Sequence, residues 1–300
     1  MQLSPELLMQ LPPEQIRAAF PGFLASYIQG APEIAAATMA HSAEILGASS
    51  DGQLKATLKA FAELGGGGYR PYNALPTIRE LARGWMQRVM IPGAVEGTEH
   101  LLAARGKNQL WVGNHRSYID TSATDALLAG AGLDYLADDM MVVAGPKVYS
   151  DTFRRVAAAG LNTLMVAQST QIGHNAAELS PREVAAIALN SLKQSQVWRA
   201  ERGPVLLYPE GTRTRSGRMG PFLRAAARYA RNVDVIVPMA IIGSDDLFGL
   251  DEKIRPSKVT LRVGEPFEPP KGKTAWLEEA HARVAALLPE EMGPEGEVLK

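Results

Sequence analysis

Short apolar runs alternate with helical patterns from Val95 onward, and this alternation limits the possible folds more than any other feature of the sequence. The apolar runs predict strands at 108–113, 140–144, 163–167, 204–208, 235–242 and 258–263. Helical spacing predicts helices at 119–130, 152–159, 181–201, 221–231 and 274–288. Because strands joined through helices pair mostly in parallel, the pattern predicts an α/β fold, with a mostly parallel or mixed sheet flanked by helices.

The part of the chain before this alternation contains helical patterns only. Prolines and capping residues predict helix starts at Ser4-Pro5-Glu6, Pro12-Pro13-Glu14, Ala31-Pro32-Glu33 and Ser50-Asp51. Four consecutive glycines, 65–68, then interrupt the pattern and are typical of a linker. We therefore predict a smaller N-terminal helical bundle over residues 1–72 and an α/β domain over residues 73–300.

Residues 76–89 are amphipathic, with Ile78, Leu81, Trp85 and Val89 on one side of the predicted helix. Such a helix packs either against the core of the protein or against a membrane surface. A membrane-surface helix typically has a densely basic polar side, and the polar side of this helix is not densely basic. We therefore interpret it as a core helix.

The strand at 108–113 leads into a polar turn that contains His115, and Asp120 follows at the start of the next helix. This places an imidazole and a carboxylate at the carboxyl edge of the sheet, where open α/β proteins bind ligands. A histidine held by an acid can act as a general base toward a substrate hydroxyl. The same spacing also suits a purely structural pair, in which the acid interacts with the helix dipole. The spacing alone leaves both roles open.

A second strand, at 204–208, leads into a basic loop of similar construction. Arg213 and Arg215 alternate there with Thr212, Thr214 and Ser216. Guanidinium and hydroxyl groups in this arrangement suit a phosphate or a carboxylate ligand.

Three blocks together resemble the signature of the glycerolipid acyltransferases. They are Asn114-His115-Arg116-Ser117-x-x-Asp120, Pro209-Glu210-Gly211-Thr212-Arg213 and Val237-Pro238-Met239-Ala240-Ile241. The helical bundle ahead of the α/β domain is similar to that of the soluble, plastid-type glycerol-3-phosphate acyltransferases. The resemblance covers roughly residues 75–265.

The resemblance implies an O-acyltransferase of phospholipid biosynthesis. It would move a fatty acyl group from acyl-CoA or acyl-carrier protein to the hydroxyl of glycerol 3-phosphate, a small phosphorylated polyol. His115 and Asp120 would be the catalytic residues. The substrate-binding residues would be Asn114, Ser117, Glu210, Gly211, Thr212, Arg213 and Arg215. No metal and no cofactor other than the acyl donor is implied.

One stretch departs from the family pattern. The family carries basic residues after the strand that follows Gly160-x-Asn162, whereas residues 167–171 read Ala-Gln-Ser-Thr-Gln. The acceptor therefore stays open, with lysophosphatidate or another polar molecule as alternatives. A thioester hydrolase, in which His115 activates water, and a lipid-binding module without turnover are further alternatives.

The composition limits the binding partners and the cellular compartment expected for the protein. A net charge of -1 argues against a nucleic-acid-binding surface, and the absence of cysteine excludes disulfides and thiolate sites. No apolar run approaches the roughly 20 residues of a membrane span, and no secretory signal is present. We therefore expect a cytoplasmic protein, with peripheral and transient contact to a membrane as an option.

Arg224, Arg228 and Arg231 recur at helical spacing after the second block. They form either a solvated helix face or a docking patch. The partner of such a patch would be an acidic carrier protein, the phosphates of CoA or anionic lipid headgroups.

Overall fold

The computed structural model describes residues 10–64, 68–149, 152–167 and 179–300. Three predictions fall outside these residues: the helix start at Ser4, the linker glycines 65–67 and the cation-free stretch 168–171.

The described strands form one eight-stranded sheet in the order β1-β5-β4-β6-β3-β7-β8-β2. The strands are β1 (Pro71–Tyr72), β2 (Met90–Glu96), β3 (Gln109–Gly113), β4 (Met141–Ala144), β5 (Asn162–Met165), β6 (Val205–Leu207), β7 (Val235–Ile242) and β8 (Ser257–Val263). Only the pairs β1–β5 and β7–β8 are antiparallel among the described strands; the other neighbours are parallel. The predicted α/β fold with a mostly parallel, mixed sheet is confirmed.

Helices cover both faces of this sheet and precede it in the chain. The described α-helices are α1 (Pro13–Ala25), α2 (Pro32–Ala48), α3 (Asp51–Glu63), α4 (Pro76–Val89), α5 (Thr98–Ala103), α6 (Asp120–Gly130), α7 (Asp134–Asp139), α8 (Thr152–Ala159), α9 (Pro181–Glu201), α10 (Ser244–Leu247) and α11 (Ala275–Leu287). In the described ranges, three short 3₁₀ helices span Pro146–Tyr149, Arg224–Ala230 and Glu290–Met292.

The α-helix predicted at 221–231 is wrong, because the chain there forms the 3₁₀ helix Arg224–Ala230. The backbone before it is already engaged: the N–H of Leu223 donates to Pro209 and that of Arg224 to Lys300. Because these bonds fix the chain up to Arg224, the helix that follows is only about two turns long. Such short segments commonly adopt 3₁₀ geometry. With three residues per turn, Arg228 and Arg231 share a side of the helix, whereas Arg224 lies a third of a turn away. All three arginines are exposed.

The interpretation of α4 as a core helix is confirmed, since Ile78, Leu81, Trp85 and Val89 are all buried. One continuous group of buried side chains extends from Ile16 on α1, through α4, to the sheet. The N-terminal helices thus pack against the α/β layer and share its core. The domain boundary between residues 72 and 73 stays an interpretation.

A largely buried ion pair connects α4 to α6. Arg83 binds both carboxylate oxygens of Asp125, at 2.6 and 2.9 Å, and it also contacts Asp138 at 2.8 Å. Removing one partner from such a pair is costly, because the other charge is left buried. This contact fixes the helix that begins at Asp120.

Candidate active site

The two loops singled out from the sequence meet at one edge of the sheet. β3 and β6 are parallel neighbours, with Val112 opposite Leu207. The loops that follow them therefore leave the sheet side by side, at the carboxyl edge where ligands bind in open α/β folds. Both predicted motifs therefore lie at the same edge of the sheet.

His115 and Asp120 form a hydrogen-bonded pair at this edge. The distance from Nδ1 of His115 to Oδ2 of Asp120 is 2.8 Å, and the imidazole is 20% exposed. An ionised carboxylate accepts only, so Nδ1 carries the proton and Nε2 is the nitrogen that can accept one. The arrangement suits a general base with a fixed tautomer.

Asp120 also organises the turn that carries His115. Its carboxylate accepts hydrogen bonds from the backbone N–H of Arg116 at 2.7 Å and of Ser117 at 3.0 Å. The side chain is buried at the first position of α6, where the helix dipole favours a negative charge. The backbone of the turn therefore fixes the position of the carboxylate that binds the imidazole.

Tyr208, which the sequence analysis missed, stacks on the imidazole of His115. The two rings are 4.7 Å apart between centroids and inclined by 17°. The hydroxyl lies 3.2 Å from Oγ1 of Thr121, and burial, with the nearby Asp120, raises the pKa of Tyr208. A Cβ at Gly113 would lie 3.3 Å from the tyrosine ring, so the glycine leaves room for it. An aromatic residue at the end of a strand resembles a core residue in sequence, which is why it was not singled out.

Glu210 connects the two loops. Its carboxylate accepts from the backbone N–H of His115 at 2.7 Å and of Gly220 at 2.8 Å. Burial raises the pKa of Glu210 to about 7, although both hydrogen bonds act in the opposite direction. Both carboxylate oxygens are engaged with the protein, so the structure supports a positioning role for this predicted substrate-binding residue.

Asn114 and Ser117 are also engaged within the protein. The amide of Asn114 exchanges two hydrogen bonds with the backbone of Ile241, at 2.8 and 3.0 Å. The hydroxyl of Ser117 donates to the carbonyl of Phe248 at 2.9 Å. Both side chains are buried and fasten the His115 turn to neighbouring segments.

Gly211, Thr212, Arg213 and Arg215 line the same cavity as His115. Gly211 has φ of +69°, a backbone conformation that favours glycine, and a Cβ there would lie 2.3 Å from Cδ1 of Leu223, so the leucine side chain would have to shift. The guanidinium of Arg213 lies over the ring of Tyr118, 3.6 Å from its centroid. These four predicted positions are therefore brought together with the His115–Asp120 pair.

The cavity has a volume of about 430 Å³. Its apolar walls come from β4, α8, α9 and the residues on either side of β5, and they include Val142, Val143, Ala157, Ala158, Leu161, Val166, Ala188 and Leu192. Its cationic side chains are Lys147, Arg154, Arg213, Arg215 and Arg228. Among the described residues that line it there is no carboxylate. Such a site suits a ligand with both an apolar and an anionic part.

Neither a metal-binding cluster nor a membrane-spanning helix occurs among the described residues. No group of three or more histidine, aspartate or glutamate side chains in these ranges is arranged to hold a metal ion. No helix in them has both the length and the apolar character needed to cross a bilayer. That the reaction needs no metal stays a prediction.

Comparison with known proteins places this site in a family. A family model described as acyltransferase matches residues 94–242, about half of the chain. A 1-acyl-sn-glycerol-3-phosphate acyltransferase from Chlamydomonas reinhardtii is 34% identical over 107 residues. The chain belongs to the glycerolipid acyltransferases. Every site residue predicted from the sequence lies within the region that the family model matches.

The similarity to the algal acyltransferase is local, covering 35% of this chain and 32% of that protein. The 1-acyl-sn-glycerophosphate acyltransferase PlsC from Thermotoga maritima has a similar fold, with a TM-score of 0.51 at 16% identity. That comparison covers 90% of this chain and 96% of the other. The closer likeness to plastid-type glycerol-3-phosphate acyltransferases stays a prediction.

Proposed function

We propose that this chain is a glycerolipid O-acyltransferase in which His115 activates the hydroxyl of the acceptor. The observation that carries the proposal is the 2.8 Å contact between His115 and Asp120 inside a cavity that is both apolar and cationic. The family membership supports the reaction class, and the geometry supports the role of each residue.

The reaction is a direct transfer. Nε2 of His115 takes the proton of the acceptor hydroxyl while that oxygen attacks the thioester carbonyl of the donor. Collapse of the tetrahedral intermediate breaks the carbon–sulfur bond, and the imidazolium returns the proton to the leaving thiolate. Asp120 stabilises the imidazolium in between. The products are an ester and a free thiol, and no covalent acyl-enzyme is needed.

The acceptor is a glycerol phosphate monoester, because the lining is cationic beside the proposed base. Lysophosphatidate is our first candidate, since the algal relative is named as an acyltransferase for 1-acyl-sn-glycerol 3-phosphate. Glycerol 3-phosphate is the second. The apolar walls would hold acyl chains, and the donor is acyl-CoA or acyl-carrier protein.

A panel of acceptors tests this function. The purified protein is incubated with acyl-CoA or acyl-carrier protein and with lysophosphatidate, glycerol 3-phosphate, monoacylglycerol or no acceptor. Thiol release and product mass are measured together. We expect thiol release that depends on the acceptor, with phosphatidate as the largest product. Equal thiol release without acceptor would identify a hydrolase, and no release with any donor would exclude an acyltransferase.

A further inference from the structure

Two arginines from distant parts of the chain lie over one aromatic ring beside the proposed base. Arg213, from the loop after β6, lies 3.6 Å from the ring centroid of Tyr118. Arg154, from α8, lies 4.4 Å from the same centroid. Tyr118 itself belongs to the turn between His115 and Asp120. The guanidinium groups of Arg154 and Arg213 therefore contact the proposed catalytic turn through its ring.

Arg154 is held in position from a second side. Its Nη2 lies 2.7 Å from Oε1 of Glu252, and the arginine side chain is 19% exposed. A guanidinium that is fixed by a ring and a carboxylate loses little further freedom when it binds a ligand. Glu252 does not line the cavity, whereas Arg154 does.

The charges at this point favour an anion with more than one negative charge. Glu252 offsets the charge of Arg154, but the cavity is also lined by other cationic side chains, namely Lys147, Arg213, Arg215 and Arg228. The face of a tyrosine ring offsets only part of such a positive charge. With no carboxylate among the described lining residues, a phosphate monoester that both arginines contact would add the negative charge that Glu252 alone does not supply.

We propose that Arg154 is a specificity-determining residue: together with Arg213 it binds the phosphate of the acceptor, and Tyr118 positions both arginines. The proposal rests on the proposed function, because it names the ligand group bound at that same site. It assigns to helix α8 a part in choosing a phosphorylated acceptor over a neutral one.

The first test compares acceptors with and without a phosphate. For the Arg154→Gln variant, the preference for lysophosphatidate over monoacylglycerol, taken as the ratio of the kcat/KM values, should fall roughly 10- to 100-fold. Arg154→Lys should fall less, since it keeps the charge but loses the planar fork. The KM for the acyl donor should change much less than the KM for lysophosphatidate.

Arg105 supplies a matched control. It also lies over a tyrosine, 5.3 Å from the ring centroid of Tyr135, but it does not line the cavity. Arg105→Gln should therefore keep the acceptor preference of the wild type. An equal loss of activity toward both acceptors in Arg154→Gln, or a raised KM for the donor alone, would overturn the proposal.

The second test concerns Tyr118 as a positioning residue. Tyr118→Leu removes the ring and should raise the KM for lysophosphatidate, whereas Tyr118→Phe keeps the ring and should raise it much less. In the double variant Tyr118→Leu/Arg154→Gln, the effect on the KM for lysophosphatidate should be smaller than the sum of the two single effects, taken as free energies, because both substitutions act on one contact. Full additivity would show that Tyr118 does not act through Arg154.

A binding measurement separates this proposal from the proposed function. Calorimetric titration with glycerol 3-phosphate, and with glycerol as the neutral probe, needs no turnover. We expect the wild type and Arg105→Gln to bind glycerol 3-phosphate and Arg154→Gln to bind it roughly 10- to 100-fold more weakly. If turnover fails but this difference is observed, the phosphate site stands and the proposed function falls. Equal binding by Arg154→Gln and the wild type, or no binding by either, would overturn the site.

Discussion

At the residue scale, Asp120 both orients the imidazole of His115 and stabilises the turn that carries it. Its carboxylate contacts the His115 ring and also accepts hydrogen bonds from the backbone N–H groups of Arg116 and Ser117. Asp120→Asn would present an amide N–H where a ring or backbone donor now points. We expect turnover to fall by at least roughly 100-fold and the free energy of unfolding to fall by about 1–3 kcal/mol. Steady-state kinetics and urea unfolding measure the two effects.

Asp134 offers the control for this substitution, since it also lies in the first turn of a helix but is exposed. Asp134→Asn should leave both turnover and the free energy of unfolding close to the wild-type values. If Asp120→Asn behaved like Asp134→Asn, Asp120 would have neither role.

Glu210 should make the stability of the protein depend on pH. Because burial raises its pKa from 4.5 to about 7, the folded protein binds more protons than the unfolded chain between these pH values. The stability that Glu210 contributes is therefore present below pH 4.5 and lost as the pH rises through about 7. Relative to Glu210→Gln, the wild type should lose on the order of 3 kcal/mol of unfolding free energy across that window.

Urea unfolding of both proteins at several pH values measures this difference. The glutamine has no charge, so its own mispaired hydrogen bonds contribute equally at every pH. A difference between the two proteins that stays constant with pH, or that changes in the opposite direction, would show that Glu210 is not a buried carboxyl with a raised pKa.

The sequence predicted the His115–Asp120 pair because both residues belong to one short turn, whose geometry follows from the strand and helix around it. It did not predict the bonds of Asn114 and Ser117 to Ile241 and Phe248, which lie more than 100 residues away in the chain. The hydrogen bonds that Glu210 accepts from the backbone of His115 and Gly220 were not predicted either. The parallel register of β3 and β6 sets His115 opposite Glu210, and that register is a property of the folded sheet.

At the scale of elements, the strands with uninterrupted apolar runs were predicted to within two residues. β1 and β2 were missed for physical reasons. β1 has only two residues, and β2 contains Pro92 and Gly93, which are typical of turns. β2 lies at an edge of the sheet, where proline is tolerated, and its exposed side chains give no core pattern.

The segment 292–300 carries no periodic pattern, yet it supports the loop that follows the second signature block. The N–H groups of Met219, Phe222 and Arg224 donate to carbonyls of this segment, and those of Glu295 and Lys300 donate back. Leu299 is 7% exposed and pairs with the buried Phe222. The same loop contains Gly220, which donates to Glu210.

Leu299→Ala should therefore destabilise the protein and loosen this loop. We expect a loss of about 2–5 kcal/mol in the free energy of unfolding, as for other buried leucines, and a raised KM for the acceptor. Faster proteolytic cleavage within 211–224 would report the loosened loop. Val298→Ala is the control, because Val298 is 41% exposed. Cleavage of Leu299→Ala at the rate of Val298→Ala would contradict the supporting role.

At the scale of the whole molecule, no helix among the described residues can cross a bilayer, and the amphipathic face of α4 is buried. We expect membrane contact through the surface around the cavity. Leu250 lines the cavity and is 74% exposed. Arg228 lines the same cavity, and Arg224, Arg228 and Arg231 are all exposed. We expect weak binding to anionic vesicles that decreases with salt, because exposed charges are screened.

Vesicle co-sedimentation at low and high salt measures this binding for the wild type and for the triple variant Arg224→Gln/Arg228→Gln/Arg231→Gln. Leu250→Ser separates the apolar contribution from the electrostatic one. Equal binding by the wild type and the triple variant, or binding that high salt does not reduce, would remove the three arginines from membrane contact.

The central claim is that His115 activates an acceptor hydroxyl, and its most direct test is the acceptor-dependent turnover of His115→Ala. The wild type and the variant receive the same acyl-CoA and lysophosphatidate, and thiol release and phosphatidate formation are followed together. We predict a loss of roughly 10²–10⁴-fold in kcat with the folded structure retained, as circular dichroism and thermal unfolding would show. Near-full formation of phosphatidate by a folded His115→Ala variant would contradict the claim.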